Sequence, residues 1–209
     1  MVFNIITAII AYLIGSVNFS VILSKKMAGF DVREKGSGNA GTTNMLRSVG
    51  KKAAALTLIC DVLKGVVAIL IAMFIGWAFK VENQSLLVQI AGIAVVLGHT
   101  FPIFFGFKGG KGVATSLGIL IMSNWQIGLI CLVFGVLLIA LTRMVSLGSC
   151  AAAVLFPVLT LFITDNYIVS QGSGYLIYSI ILAIIVLFNH RSNIKRIMAG
   201  KENRISFKK

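Results

Sequence analysis

The chain has 209 residues, of which 58% are hydrophobic and 12% charged, with a formal net charge of +13 and a mean hydropathy of +0.98. A soluble domain is about half apolar and a quarter charged, so this composition excludes a water-soluble fold and points to a polytopic membrane protein. Three cysteines and two histidines, with no C-x-x-C pair and no clustered carboxylates, exclude a metal centre of recognisable type and a disulfide framework.

A membrane-spanning helix needs about 17–25 mostly apolar residues. Seven apolar runs are read as spans: 3–24, 53–78, 85–105, 112–123, 125–142, 145–164 and 174–189. The first begins Met-Val-Phe-Asn, with no basic flank and no small-residue cleavage site, so it is expected to be retained. A basic, glycine-rich loop follows, "KKMAGFDVREKGSGNAGTTNMLRSVGKK". The second run carries Asp61 and Lys64 one helical turn apart, an expected ion pair. Lys80 and Glu82 mark the turn into the third run, whose end Phe101 and Pro102 should shape, because proline breaks the helical ladder. The next loop reads "GHTFPIFFGFKGGKGVAT". The fourth run is short and rich in small residues, so it is tilted, buried by its neighbours, or partly re-entrant. After the fifth, "TRMVSLGS" places Arg143 and Ser146 at a short turn. Asp165 follows the sixth run. The seventh ends in "FNHRSNIKRIMAGKEN", and the tail closes on Lys208 and Lys209. Cys60, Cys131 and Cys150 all lie inside apolar runs and read as small hydrophobes. No internal repeat is found, which gives an inverted-repeat transporter no support.

Seventeen of the nineteen Lys and Arg residues fall in loop 25–52, the loop near 108, the turn at 143 and the tail from 191. The positive-inside rule then puts the N-terminus outside and the C-terminus in the cytosol, as an odd number of spans requires. The positive charge is accordingly assigned to topology and anionic lipid, not to nucleic acid.

Gly36, Gly38 and Gly41 spell G-x-G-x-x-G, with Asp61 about 20 residues on. A dinucleotide fingerprint requires a preceding strand, and "MAGFDVREK" is charged and shows no strand alternation. The glycines are better read as an anion nest, with Ser37, Asn39, Thr42, Thr43 and Asn44 adding polar groups. Arg47 adds a fork suited to phosphate. The 99–115 loop is one residue short of a P-loop, and Gly112 replaces its Ser/Thr. A Gly-Gly between two lysines at a helix start is still a phosphate site by its amides, dipole and ammonium. The third cluster adds His190, Arg191 and Asn193 directly after an apolar run. All these clusters are expected on one face. Such a site at the membrane–water boundary suits one water-soluble anion and one substrate with an acyl tail. A transporter would want polar groups near the midplane, and a scaffold would leave the glycine-rich loops unexplained.

These motifs, "GSGNAGTTN" with Arg47, "GHTFPIFFGFKGGKGVAT" and "NHRSNIKR" with "GKE", resemble in order and spacing the bacterial acyl-phosphate:glycerol-3-phosphate acyltransferase family, the small integral-membrane type. The likeness runs end to end, and Thr42 stands where members often have Ala. It implies an all-α integral membrane protein with seven transmembrane helices, a single transmembrane acyltransferase domain over residues 1–209, in the bacterial cytoplasmic membrane with its active site facing the cytosol. It implies transfer of a fatty acyl group from long-chain acyl phosphate to the 1-hydroxyl of glycerol 3-phosphate, giving lysophosphatidate and phosphate for phospholipid biosynthesis. No metal, no cofactor and no nucleic acid is implied. The oligomeric state stays open, and a monomer is compatible.

Carried over by motif, Ser37, Arg47, Lys108, Lys111, His190 and Asn193 hold glycerol 3-phosphate. Gly38, Asn39, Gly41, Thr43, Asn44, Gly109, Gly110, Gly112 and Ser146 hold the acyl phosphate. His190, Asn193, Ser37 and Lys111 are the catalytic candidates. Which of Lys108 and Lys111 contacts substrate stays open, as does whether His190 or the departing phosphate takes the proton. The His-x-x-x-x-Asp signature of common glycerolipid acyltransferases follows neither histidine, and no Ser-His-Asp set is evident. A mixed anhydride is already activated, so the work left is holding two anions, orienting a hydroxyl and stabilising an oxyanion.

Overall fold

The computed structural model describes residues 1–163 and 174–205. Asp165, the expected end of the sixth run at 164, and the tail lysines Lys208 and Lys209 lie outside the described residues. Regular structure among the described residues is helical: α1 (Val2–Ser16), α2 (Phe19–Ala28), α3 (Thr42–Ser48), α4 (Lys51–Ala78), α5 (Gln84–Thr100), α6 (Val113–Ser123), α7 (Trp125–Thr142), α8 (Val145–Leu159), α9 (Gly174–Asn189) and α10 (Arg191–Met198).

Each expected run is helical, with four departures. The first is broken at Val17–Asn18, where the Asn18 side chain accepts the Val21 amide at 3.2 Å and caps a new helix. The third stops at Thr100, because Pro102 has no amide to continue it, and a 3-10 turn at Ile103–Phe105 follows. The fourth has 11 residues, about 16 Å at 1.5 Å each, well short of a hydrocarbon core of about 30 Å. The sixth ends at Leu159, just past Pro157. Among the described residues, four helical stretches are long and apolar enough to cross a membrane alone: Val2–Ala28, Lys51–Ala78, Gln84–Phe105 and Trp125–Thr142. The pair α9 and α10, bent by 65°, makes a fifth if taken together.

Helix α5 is central and packs against α1, α4, α6 and α9. Lipid is as apolar as leucine, so close backbone packing replaces the hydrophobic effect between spans. A β-carbon at Gly98 of α5 would fall 2.2 Å from the Tyr12 carbonyl of α1, and one at Gly118 of α6 would fall 2.1 Å from the Val62 carbonyl of α4. Val88, Val95, Ile69, Ile119 and Tyr178 fill the core so formed. A second, smaller core of Val21, Val32, Ala40, Met45 and Ala53 lies beneath the glycine-rich loop and seats it on the bundle. The Phe3 ring stacks on Phe79 at 4.6 Å, so the N-terminus lies beside the α4–α5 turn, at the end away from that loop.

Candidate active site

The 35–44 loop is stitched by one side chain. Asn44 is buried in the first turn of α3; its Oδ1 accepts the Ser37 amide at 2.9 Å, and its Nδ2 donates to the carbonyls of Val32 at 2.9 Å and Lys35 at 3.0 Å. Gly36 makes this possible. Its φ is +58°, and a β-carbon there would fall 2.3 Å from Asn44 Oδ1. The Gly38 amide bonds the Lys35 carbonyl and the Gly41 amide bonds that of Asn39. Much of the expected nest therefore holds its own turn, while Ser37 and Arg47 stand exposed on its outer side.

The second loop folds back on α5. The Gly109 amide donates to the Thr100 carbonyl and the Gly110 amide to the His99 carbonyl, both at 3.1 Å. These two amides were expected to face an anion and are turned inward. Gly110 is pressed between His99 and the first loop: a β-carbon there would lie 2.2 Å from His99 Nε2 and 2.7 Å from the Ala40 carbonyl. Arg33 ties the two loops together. It grips Asp31 with Nε at 3.0 Å and Nη2 at 2.8 Å, while Nη1 donates to the carbonyls of Phe105 and Lys108 at 2.7 and 3.2 Å. Its hydrogen bonds hold the Asp31 carboxyl below the ordinary carboxylate range, outweighing burial.

The third cluster closes on the second through Lys111, whose Nζ donates to Asn193 Oδ1. Asn193 Nδ2 donates to Glu202 Oε1 at 2.8 Å, and Arg196 Nε donates to Glu202 Oε2 at 2.9 Å. The Ser146 hydroxyl lies beside Glu202, short of hydrogen-bond geometry. The Ile205 amide bonds the Arg143 carbonyl at 2.8 Å, strapping the tail onto the α7–α8 turn. His190 sits at the α9–α10 bend with Nδ1 2.8 Å from the Val186 carbonyl, which leaves Nε2 as the free nitrogen of the ring. Asn189 Nδ2 reaches Thr100 Oγ1 at 3.2 Å. Burial pushes Lys111 down from 10.5 to about 8, helped by Arg196 and Arg47 and opposed by Glu202. Burial and the Lys111 ammonium push His190 down to about 4, so its imidazole is neutral at pH 7. Burial would raise Glu202, but the bonds from Asn193 and Arg196 outweigh it and leave this carboxyl lowered.

An apolar cavity of about 140 Å³ lies between α6, α7, α8 and α9, lined from Val113 and Ser149 past Ala153 to Phe156. Its wall begins two residues after Lys111, so an apolar slot adjoins the polar cluster.

The glycerol-3-phosphate acyltransferase family profile matches residues 5–200. The chain belongs to the glycerol-3-phosphate acyltransferase family. The relative from Thermoanaerobacter pseudethanolicus is 47% identical over 206 residues, covering 99% of this chain and 98% of its own. That from Clostridioides difficile is 43% identical over 205 residues, covering 98% and 97%. Among solved structures, the glycerol 3-phosphate form of PlsY (YgiH), an integral membrane glycerol 3-phosphate acyltransferase, is similar with a TM-score of 0.84 at 34% identity, covering 97% of this chain and 96% of that one. Its lysophosphatidic acid form gives 0.81 at 33% identity, covering 97% and 95%.

Within this acyltransferase fold the residues singled out from sequence divide into three groups. Lys111, Asn193, His190 and Ser146 come together, with Arg47 close enough to Lys111 to depress it. Lys108 does not join them; it lines an outer polar cleft with Lys25, Arg33, Glu34 and Gly38. Asn44, Gly109 and Gly110 build the loops from inside. Sequence reasoning missed Arg33 as the clamp and Glu202 as the anchor of Asn193. Glu202 carried one signal, its place in "GKE". Arg33 carried only its local pairing with Asp31, since its partners across the loops, Phe105 and Lys108, offer only backbone oxygens.

Proposed function

We propose that this protein is an acyl-phosphate-dependent glycerol-3-phosphate 1-O-acyltransferase of the bacterial cytoplasmic membrane, the whole chain forming one domain. In this reading seven helices span the bilayer, the short α6 being shielded by α4, α5 and α7, with the N-terminus outside and the site facing the cytosol. The observation that carries it is the polar cluster of Lys111, Asn193 and Arg196 beside an apolar slot whose wall begins at Val113, two residues past Lys111. The PlsY structures named for glycerol 3-phosphate and lysophosphatidic acid support the same pairing of a phosphate with an acyl tail.

Ser37, Arg47, Lys111, His190 and Asn193 hold glycerol 3-phosphate. Asn39, Gly41, Thr43 and Ser146, with the turn at Gly112, border the acyl phosphate, whose tail enters the slot at Val113. The 1-hydroxyl oxygen attacks the acyl carbonyl carbon, the bond from that carbon to the phosphate oxygen breaks, and the hydroxyl proton leaves on the departing phosphate. His190 Nε2 orients the hydroxyl. Holding the two substrates together supplies roughly 7–11 kcal/mol, and one donor to the oxyanion about 3–4 kcal/mol.

The test is turnover of labelled glycerol 3-phosphate with palmitoyl phosphate by the purified protein in lipid vesicles. Lysophosphatidate is the expected product. Uptake of label without product would make the protein a transporter and end this reading.

A further inference from the structure

Asp61 and Lys64 on α4 and His99 on α5 form a buried ionisable cluster behind the second loop, each no more than 4% exposed. Such groups inside a span are costly, and they mark function or its support. Asp61 Oδ1 lies 2.8 Å from Lys64 Nζ and 3.5 Å from His99 Nδ1, the latter a facing contact short of hydrogen-bond geometry. Lys64 also donates to the Val17 carbonyl at 3.1 Å, in the break between α1 and α2. Mutual neutralisation accounts for the pair. It does not account for a histidine aimed at it.

The far edge of the imidazole does. His99 Nε2 is the atom that a β-carbon on Gly110 would strike at 2.2 Å, so the ring is packed between the Asp61 carboxylate and the Gly110 backbone. The His99 and Thr100 carbonyls hold the Gly110 and Gly109 amides, and Lys111 is the next residue. A histidine χ2 is broad and roughly two-fold by itself. A carboxylate facing Nδ1 selects one ring orientation, and that orientation sets where the Gly109–Gly112 turn can sit.

We propose that Asp61 is a positioning residue for the reaction: through His99 it seats the Gly109–Gly112 turn and thereby aims Lys111 at the phosphate of the incoming substrate. This rests on the acyltransferase reading. Lys111 would grip the substrate phosphate in the ground state as well as during reaction, so a slack turn is expressed as weaker capture of glycerol 3-phosphate.

Three variants test it. Asp61→Asn with Lys64→Met keeps an acceptor oxygen for His99 and removes both charges. Asp61→Leu with Lys64→Met removes the acceptor and leaves no unpaired buried charge. His99→Phe keeps the ring and the Asp61–Lys64 pair but offers no donor to Asp61. The Asn double variant is expected to keep the glycerol 3-phosphate KM within about threefold, while the Leu double variant and His99→Phe raise it by about tenfold or more with kcat and melting temperature held. The Leu double variant, if folded, or His99→Phe showing the native KM overturns the proposal. So does an Asn variant as impaired as the Leu one. Should the Leu variant fail to fold, His99→Phe decides alone. The parent protein reports separately on the acyltransferase reading. If it makes no lysophosphatidate, positioning is read from the rate at which an amine reagent modifies Lys111, expected to change in the Leu variant and not in the Asn one.

Discussion

Replacing Lys111 by methionine should make the protein more stable and nearly inactive. Burial, with Arg196 and Arg47 adding to it, holds this ammonium at about 8 against an ordinary 10.5. At 1.36 kcal/mol per pH unit, that gap is about 3 kcal/mol of destabilisation at pH 7. The folded-state value is the lower one, so between about 8 and 10.5 the folded chain holds fewer protons than the unfolded chain, and stability rises with pH across that window. Methionine keeps the length of the side chain and removes its charge. It gives up the contact with Asn193, worth about 1 kcal/mol. The net gain is about 2 kcal/mol, or about 4–8 °C in melting temperature for a chain of this size. Function moves the other way. A charged contact to phosphate is worth about 1.5–3 kcal/mol, so the KM for glycerol 3-phosphate should rise about 10- to 150-fold. The assay is thermal unfolding in one detergent at pH 7 and pH 10, alongside steady-state kinetics. A variant that melts below its parent at pH 7, or whose advantage does not shrink by pH 10, refutes the reasoning.

The kcat/KM for glycerol 3-phosphate should rise through about pH 6, as the phosphate becomes a dianion, and fall above about 8 as free Lys111 loses its proton. Lys111→Arg should displace only the alkaline limb upward. His190→Gln should raise the same KM and leave the acid limb in place, because His190 is held at about 4; disappearance of a limb near pH 6–7 would instead make His190 the base. Asn44→Ala orphans the Ser37 amide and removes one of the two donors to the Val32 and Lys35 carbonyls, which keep the Lys35 and Gly38 amides. It should cost about 1–3 kcal/mol, and faster proteolysis between Lys35 and Arg47 would register it. Ala153→Phe, on the wall of the apolar slot, should raise the KM for palmitoyl phosphate about tenfold without changing that for glycerol 3-phosphate. Equal effects on both substrates would place the tail elsewhere.

The membrane class and the helical runs were legible because hydropathy is a local property of the chain. The pairing of Asp61 with Lys64 was legible for the same reason, one helical turn being a fixed distance. Breaks were less so. Asn18 starts a helix by capping, in a run whose mean hydropathy shows no gap. Residues of one motif also received different jobs. Ser37 and Asn44 read alike as polar loop members, yet Asn44 is buried holding the turn while Ser37 is exposed.

Residue types and their order determined the lipid setting and the family to which this chain belongs. Only the packed helices decided which of two lysines meets Asn193, that the amides of Gly109 and Gly110 face inward, and that an apolar slot opens beside the polar cluster. The first depends on a distance between residues about 80–90 positions apart, as does the contact of Asn189 with Thr100. Distances of that kind are set by how helices cross, and no local pattern in the chain encodes a crossing.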